Sequence, residues 1–298
     1  MSGPGWHGLL NLDKPSGSTS RDVVDRVQRL VGRKVKIGHA GTLDPLASGV
    51  LVVCLGAATR LVDRVQEHPK GYLAGFRLGM RSDTDDLTGK LEPGADPSGI
   101  TPEQIRDALG NFTGQISQVP PQFSAVHVGG RRAYDLARKG ETFRLTERTV
   151  QVHAASLLGY QAGEGAIEIV CGSGTYIRSL IRDLGERLDC GAIMTALRRT
   201  FIGPFDVEHA AALEDLTLAR MPSLLLPMKS VLQDDIVYEA TSAECAALLQ
   251  GRAIPDRRAS PRAPDERIVV LDETGELFAF AQCDAERGLL LPRQVFTR

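Results

Sequence analysis

Residues 38–55 read GHAGTLDPLASGVLVVCL, a glycine-rich polar turn that runs into an apolar segment. The apolar half, residues 50–55, predicts a buried β-strand because a glycine bounds it on each side. Glycines at this density let a backbone approach a ligand closely. Pro45 biases Asp44 toward an extended conformation and so restricts where its carboxylate points. The stretch predicts a ligand-binding loop at the start of a central strand, or alternatively a plain polar turn in which Asp44 acts as a cap.

Strands and helices are predicted on both sides of this stretch, in an irregular order. Apolar residues at helical spacing after Thr19 or Ser20 predict a helix, and Thr101 followed by Pro102 marks the start of another. Further strands are predicted at residues 9–12, 72–78 and 166–171, and a helix with an apolar stripe follows Tyr176. Because no regular strand–helix–strand repeat is present, the order is typical of a mixed α+β fold.

A second, smaller unit is predicted from residue 236 onward. Thr241 and Glu244 form a capping-box pattern, and two short apolar runs around residues 273–275 indicate a hairpin. Residues 252–267 between them form a loop rich in Pro and Arg. The sequence therefore predicts two domains, residues 1–235 and 236–298.

Charge is distributed unevenly along the 298 residues. The chain has 35 Lys and Arg against 37 Asp and Glu, for a net charge of -2, which is not the globally basic balance of many nucleic-acid-binding proteins. Residues 1–60, however, have eight basic against four acidic residues, and residues 126–150 have six against three. These segments predict a basic face for a polyanion, with ordinary solvated surface charge as the alternative.

The composition argues against several other classes of protein. The five cysteines are scattered and no pair has CxxC spacing, so a zinc ribbon or a thioredoxin-like site is not indicated. The longest apolar run is too short to span a bilayer. We expect a cytoplasmic protein with reduced cysteines.

A glycine turn at residues 172–174 leads into the helix that contains Arg178. The turn lacks the third glycine of a dinucleotide fingerprint and the lysine of a P-loop, so a nucleotide cofactor is not supported. Arg178 lies at the edge of the apolar stripe of its helix, where a charge needs a carboxylate partner. Asp44 is one candidate, and Asp183 and Glu186 are local alternatives.

Two further segments contain residues suited to binding. Tyr72 opens a strand directly after Lys70-Gly71, where it either packs in the core or presents an aromatic surface to a ligand. The segment after Pro120-Pro121 has a glycine pair followed by Arg131 and Arg132, which predicts a basic arm able to contact a phosphate backbone, or alternatively a plain surface loop.

Taken together, these motifs resemble the TruB family, the bacterial tRNA pseudouridine-55 synthases, in both content and order. The resemblance covers residues 8–205, and residues from 236 correspond in position to the family's small PUA-like domain. The matching segments are Asp13-Lys14-Pro15, residues 38–51, Lys70-Gly71-Tyr72, Pro121-Gln122-Phe123-Ser124-Ala125, Gly174-Thr175-Tyr176-Ile177-Arg178 and Leu197-Arg198-Arg199.

The resemblance implies a fold and an activity. The fold would be a curved, mostly antiparallel sheet surrounded by helices, followed by a PUA-like RNA-binding domain. The activity would be isomerisation of uridine 55, in the T loop of tRNA, to pseudouridine after the base is flipped out. No cofactor and no metal would be needed, and the protein would be a monomer.

The resemblance also implies roles for individual residues. Asp44 would be the catalytic carboxylate, Tyr72 would stack on the target base, and Arg178 would pair with Asp44. Residues 124–149 would form an arm that closes over the T stem-loop. The implied substrate-binding residues are His39 in the gap left by the flipped nucleotide, Leu197 under the uracil, Lys14 beneath the active-site loop, Gly41 and Thr42 within it, and Arg131, Arg132 and Lys139 in the arm.

The chemistry of pseudouridine formation suits these residue types, because it needs one ionised carboxylate and a dry site for a detached base. The residues leave open whether Asp44 attacks C1′, attacks C6 or removes a proton at C2′. They also leave open an RNA-binding folding chaperone with secondary catalysis, and a pseudouridine synthase for another RNA. A small-molecule enzyme is disfavoured because the chain lacks a nucleophile elbow, a P-loop lysine and metal-ligand spacing.

Overall fold

A ten-stranded sheet forms the centre of the chain, and a five-stranded sheet forms its C-terminal part. The computed structural model describes residues 5–124, 126–233, 235–258 and 266–296. Ala125 of the predicted arm and residues 259–265 of the predicted loop 252–267 lie outside these ranges. The strands are β1 Gly8–Lys14, β2 Ile37–Ala40, β3 Ser48–Leu55, β4 Lys70–Leu78, β5 Met80–Ser82, β6 Leu91–Pro93, β7 Gly114–Gln118, β8 His127–Val128, β9 Arg131–Arg132, β10 Arg148–Gln161, β11 Glu164–Cys171, β12 Ala192–Ile202, β13 Phe205–Asp206, β14 Ala211–Ala212, β15 Ile236–Glu239, β16 Ile254–Pro255, β17 Arg267–Leu271, β18 Leu277–Asp284 and β19 Leu289–Val295.

Helices pack around these sheets and begin where the sequence places caps. Thr19 caps the first helix through a capping box with Asp22, and Thr101 and Thr241 cap two others in the same way. None of the helices in the described ranges is long and apolar enough to span a bilayer. The helices are α1 Ser20–Val31, α2 Val62–Glu67, α3 Pro102–Gly110, α4 Ala133–Arg138, α5 Ile177–Arg187, α6 Met221–Leu224 and α7 Ser242–Leu249, with 3₁₀ turns at Gly56–Leu61, Leu213–Asp215 and Met228–Val231.

The large sheet has the order β14-β1-β3-β12-β4-β11-β10-β7, with β2 paired to β3 and β13 to β12. All pairs in it are antiparallel except β1–β14 and β3–β12. At the parallel β3–β12 junction Gly49 lies opposite Arg199. A Cβ on Gly49 would lie 2.1 Å from the Arg199 carbonyl oxygen, so only glycine lets the two strands meet there. The expected mixed α+β class with a curved, mostly antiparallel sheet is confirmed.

Helices α3 and α5 cover one face of the large sheet at β4, β10 and β12. Ile105 and Leu109 from α3 and Leu180 and Leu184 from α5 are buried against strand residues such as Phe76. Each such side chain removed from water contributes about 1.5–3 kcal/mol. This packing fixes the N-terminus of α5, and hence Arg178, relative to β4 and β12.

The smaller sheet has the order β15-β17-β18-β19-β16 and has its own core with α7. Its opposite face is joined to the large sheet, because Val269, Phe280 and Phe296 belong to one buried cluster with Leu9 and Leu61. The two sheets therefore share a continuous apolar interface.

Candidate active site

The loop between β2 and β3 contains Asp44 and is held by backbone and side-chain contacts from residues 17–20. The Gly17 amide donates to the Pro45 carbonyl (2.7 Å), and the Ser20 hydroxyl accepts from the Leu43 amide (2.9 Å). Within the loop, the Ala47 amide donates to the Asp44 carbonyl (3.0 Å). These contacts fix the position of the Asp44 backbone.

Lys14 stabilises the segment after β1 that contacts this loop. Its side chain is fully buried, and its ammonium donates to the carbonyls of Pro15 (3.0 Å) and Ser18 (2.6 Å). Burial lowers the pKa of Lys14 to about 8, although nearby Asp44 raises it. Any effect of Lys14 on a substrate therefore passes through the loop that it supports.

Asp44 forms an ion pair with Arg178, the first of the partners that the sequence suggested for this arginine. Its Oδ2 lies 2.9 Å from a terminal guanidinium nitrogen of Arg178. The Arg178 side chain is 7% exposed and that of Asp44 is 38% exposed, so the arginine is held by the protein while the carboxylate faces open space. Arg178 also donates to the carbonyls of Thr84 and Phe123, both at 3.0 Å.

A second carboxylate, Asp86, lies behind Arg178 and was not expected from the sequence. Its Oδ2 is 3.7 Å from Arg178, and its side chain is 5% exposed. Its Oδ1 accepts from the Thr84 hydroxyl (2.7 Å) and the Thr88 amide (2.9 Å). Arg178 is thus oriented between two carboxylates.

The two local alternatives for Arg178 have other partners. Asp183 pairs with Arg182 at 2.7 Å, and Glu186 lies 3.6 Å from Arg81. Arg182 also pairs with Asp85 at 3.0 Å. Burial raises the pKa of Asp85 to about 6, against the opposing effect of its two arginine neighbours, Arg182 and Arg178. Asp85 and Asp86 are therefore buried against α5, and the acidic stretch is not a purely solvated loop.

A cavity of about 460 Å³ opens in front of Asp44. This volume lies within the usual range for small-molecule pockets. Tyr72 and Leu197, from the adjacent strands β4 and β12, form its apolar wall, and both are more than nine-tenths buried. Burial raises the pKa of Tyr72, so its hydroxyl stays protonated at neutral pH. Of the residues expected from the sequence, the lining includes Gly41, Thr42, Asp44, Tyr72, Arg132, Arg178 and Leu197.

Arg199 is a buried guanidinium at the back of this cavity, and no individual role was expected for it from the sequence. It lies opposite Tyr72 in the β12–β4 register and is 2% exposed. It donates to the carbonyls of Val50 (2.8 Å) and Gly41 (3.1 Å). It thereby connects β12, β3 and the Asp44 loop.

The remaining expected residues lie away from the cavity lining. His39 is half-buried in β2, and its Nδ1 is buried without a hydrogen-bond partner in the described part of the chain. Burial lowers the pKa of His39, which favours the neutral imidazole. Arg131 forms a bidentate pair with Glu141 (2.8 and 2.9 Å), and Lys139 is exposed at the end of α4. Neither of these arm residues is brought to Asp44.

Within the ranges that the structure describes, no three His, Cys, Asp or Glu side chains converge in an arrangement that would hold a metal ion.

Comparison with known proteins identifies the family. Residues 28–177 match the model of the TruB family pseudouridylate synthase N-terminal domain, and residues 178–233 match that of the tRNA pseudouridylate synthase B C-terminal domain. Two relatives named tRNA pseudouridine synthase B, from Nitrobacter winogradskyi and Cutibacterium acnes, are each 41% identical to the chain. The first alignment covers 97% of this chain and 82% of the relative, and the second covers 94% of both.

Solved structures agree with this assignment. A chain from a Cbf5-Nop10-Gar1 complex superposes with a TM-score of 0.75 at 27% identity, covering 98% of this chain and 85% of the other. A chain from an H/ACA RNP bound to a substrate RNA containing 2′-deoxyuridine has the same fold, with a TM-score of 0.74 at 24% identity and coverage of 100% and 92%. On the strength of the two family models and the near-full-length relatives, the chain belongs to the TruB family of pseudouridylate synthases.

Proposed function

We propose that this protein isomerises uridine to pseudouridine in tRNA, with uridine 55 of the T loop as its target. The observation that carries the proposal is the Asp44–Arg178 ion pair at the mouth of a cavity walled by Tyr72 and Leu197. The names of the relatives, tRNA pseudouridine synthase B, support the same substrate.

The reaction needs a carboxylate that stays ionised and correctly oriented in a site with little water. The Arg178 guanidinium stabilises the negative charge of Asp44 and fixes its direction, and Asp86 and two backbone carbonyls hold the guanidinium in turn. The carboxylate is therefore already oriented when the substrate enters the cavity.

The uracil has to be retained while it is detached. The C1′–N1 bond breaks, the ring rotates, C5 bonds to C1′, and the C5 proton is lost while N1 gains one, so no redox change occurs. Tyr72 stacks on one face of the ring and Leu197 packs beneath it. Because these walls come from paired strands, the position of the ring is set by the sheet.

The RNA has to be opened to bring the base into the cavity, which costs a few kcal/mol. We assign to residues 124–149 the role of an arm that offsets this cost by contacting phosphates. Arg132 reaches the cavity, while Arg131, Lys139 and Arg138 line a second concavity of about 590 Å³ on the arm. His39, at the end of β2, fills the space that the flipped nucleotide leaves.

The residues from 236 to 298 form, in this proposal, a PUA-like domain that binds RNA beyond the target loop, and residues 1–235 form the catalytic domain. The protein acts as a monomer in the cytoplasm.

The test uses a tRNA transcript labelled with [5-³H]uridine and a second transcript in which uridine 55 is replaced by cytidine. Tritium release equal to one uridine per tRNA from the first transcript, and none from the second, is the expected result. Equal release from both transcripts would show that the target is another uridine. No release from either, with tight binding of both, would leave only an RNA-binding role.

A further inference from the structure

Three cations of residues 1–60 lie together in the turn between α1 and β2. Arg33, Lys34 and Lys36 are exposed, and in the described part of the chain no carboxylate lies within ion-pair distance of any of them. Of the other five cations of the segment, Lys14 is buried, Arg21 pairs with Asp25, Arg60 lies over the ring of Phe296, and Arg26 and Arg29 lie on α1. The turn between α1 and β2 thus presents three exposed cations within four residues.

These three cations line a cavity of about 550 Å³, together with Trp6 and His7. Among the described residues that line it, none has an acidic side chain. A concave surface that combines cations with an aromatic ring suits nucleic acid, because cations neutralise phosphates and a ring offers a face to a base. The composition of this cavity therefore indicates a ligand that combines phosphates with unstacked bases.

The turn that carries the cations is held in place by other residues. The side-chain amide of Gln28 donates to the carbonyls of Gly32 (2.7 Å) and Val35 (3.2 Å). The Lys36 carbonyl accepts from the Gly56 amide (2.8 Å). Because the backbone is fixed, little of it has to be ordered when a ligand binds.

The aromatic side of the cavity is fixed as well. The Nδ1 atom of His7 accepts from the Ala57 amide (2.9 Å), so the neutral ring carries its proton on Nε2. A Cβ on Gly56 would lie 2.3 Å from the Trp6 carbonyl oxygen, which shows how closely the Trp6-His7 backbone packs on this turn. The Trp6 indole, which is partly buried against the apolar core, and the Nε2 donor of His7 are therefore held on a rigid backbone.

The cavity is close enough to the active site for one RNA to reach both. Lys36 immediately precedes β2, and Gly41 follows it. Five residues of extended strand span roughly 16 Å. A stem-loop with its target base in front of Asp44 can place flanking phosphates at that distance.

We propose that this cavity is a second RNA-binding site, in which Arg33, Lys34 and Lys36 contact phosphates of the substrate RNA and Trp6 covers an exposed base face. The inference rests on the proposed function, since it takes the ligand to be the same tRNA. It extends that function, because it assigns part of the binding of the tRNA to residues outside the catalytic cavity and the arm.

The test compares two triple variants that remove the same number of charges. Arg33→Gln/Lys34→Gln/Lys36→Gln alters the site, and Arg81→Gln/Lys90→Gln/Arg106→Gln alters exposed cations elsewhere. We expect the first variant to bind unmodified tRNA transcript roughly tenfold more weakly near 0.1 M salt, with a salt slope reduced by about 2. The second should bind like wild type. Equal losses in both variants would overturn the inference.

Trp6 is the one tryptophan of the sequence, so its fluorescence reports on this cavity alone. Saturating tRNA is expected to protect Trp6 from acrylamide quenching in wild type and not in the altered-site variant. Unchanged quenching in wild type, with binding confirmed by filter retention, would refute the proposed contact. Tritium release by wild type separates this failure from failure of the proposed function, because release would continue if only the second site were wrong.

Discussion

Replacing Arg178 with methionine is expected to remove both catalysis and a substantial part of the stability. The methionine keeps most of the side-chain volume but none of the donors. Asp86, which is 5% exposed, then loses its cationic neighbour, and the carbonyls of Thr84 and Phe123 lose their donor. Asp44 loses its orientation as well, so tritium release should fall below detection.

The magnitude follows from these contacts. Leaving a buried carboxylate unpaired costs about 3–5 kcal/mol, and each lost hydrogen bond from a charged donor costs about 1.5–3 kcal/mol. Because these effects overlap at one side chain, we expect a total loss near 3–5 kcal/mol in the free energy of unfolding.

The double variant Arg178→Met/Asp86→Asn separates the two effects. An asparagine retains the Oδ1 that accepts from Thr84 and Thr88 while removing the uncompensated charge, so it should restore about 2 kcal/mol. Urea denaturation measures the free energies, and tritium release measures activity. A loss below about 1 kcal/mol in the single variant, or a double variant less stable than the single, would refute this reasoning.

Three further predictions concern the sheet junction, the buried lysine and the cavity wall. Gly49→Ala should lower the free energy of unfolding by about 3–5 kcal/mol, because the new Cβ would clash with the backbone of Arg199. Gly251 also has a positive φ but open space around it, so Gly251→Ala should lower it by only about 1–2 kcal/mol. Urea denaturation of both variants measures the two losses. The pKa of Lys14 is about 8 in the folded state and 10.5 in the unfolded state, so the unfolded state binds more protons between these pH values. The free energy of unfolding of wild type, relative to that of Lys14→Met, should therefore rise with pH in this window. A difference that does not change with pH would contradict the prediction. Tyr72→Leu should lower turnover at least about 100-fold, because Tyr72 stacks on the base only after it is flipped. Its affinity for tRNA should stay within about threefold of wild type. A parallel loss of affinity in a filter-binding assay would argue against the stacking role.

Local patterns predicted many of the elements, because their causes are local. The spacing of Val23 and Val27 and the cap at Thr19 identify α1 as it is observed. Strand β12 was not predicted, since Arg198 and Arg199 interrupt its apolar pattern. Arg199 is nevertheless buried, because carbonyls more than 140 residues earlier in the chain accept hydrogen bonds from its guanidinium.

Part of the candidate site was predictable, because one of its charged residues lies at a position where burial requires a partner of opposite charge. Arg178 lies at the edge of an apolar stripe, which predicted a carboxylate partner. The partner is Asp44, whose Oδ2 lies 2.9 Å from a guanidinium nitrogen of Arg178. Asp86 carried no such signal: within an acidic, glycine- and proline-rich stretch it is indistinguishable from a solvated residue. Its burial depends on a contact with a helix about ninety residues later, which no local pattern encodes.

Asp44→Asn, measured beside Asp25→Asn, tests most directly whether Asp44 is the catalytic carboxylate of a uridine isomerase. The control suits the comparison because Asp25 also pairs with an arginine, at 2.8 Å, and its side chain is 42% exposed against 38% for Asp44. With [5-³H]uridine-labelled tRNA, we predict normal release from Asp25→Asn and none from Asp44→Asn, while both bind tRNA as wild type does. Sustained release from Asp44→Asn would contradict the assignment.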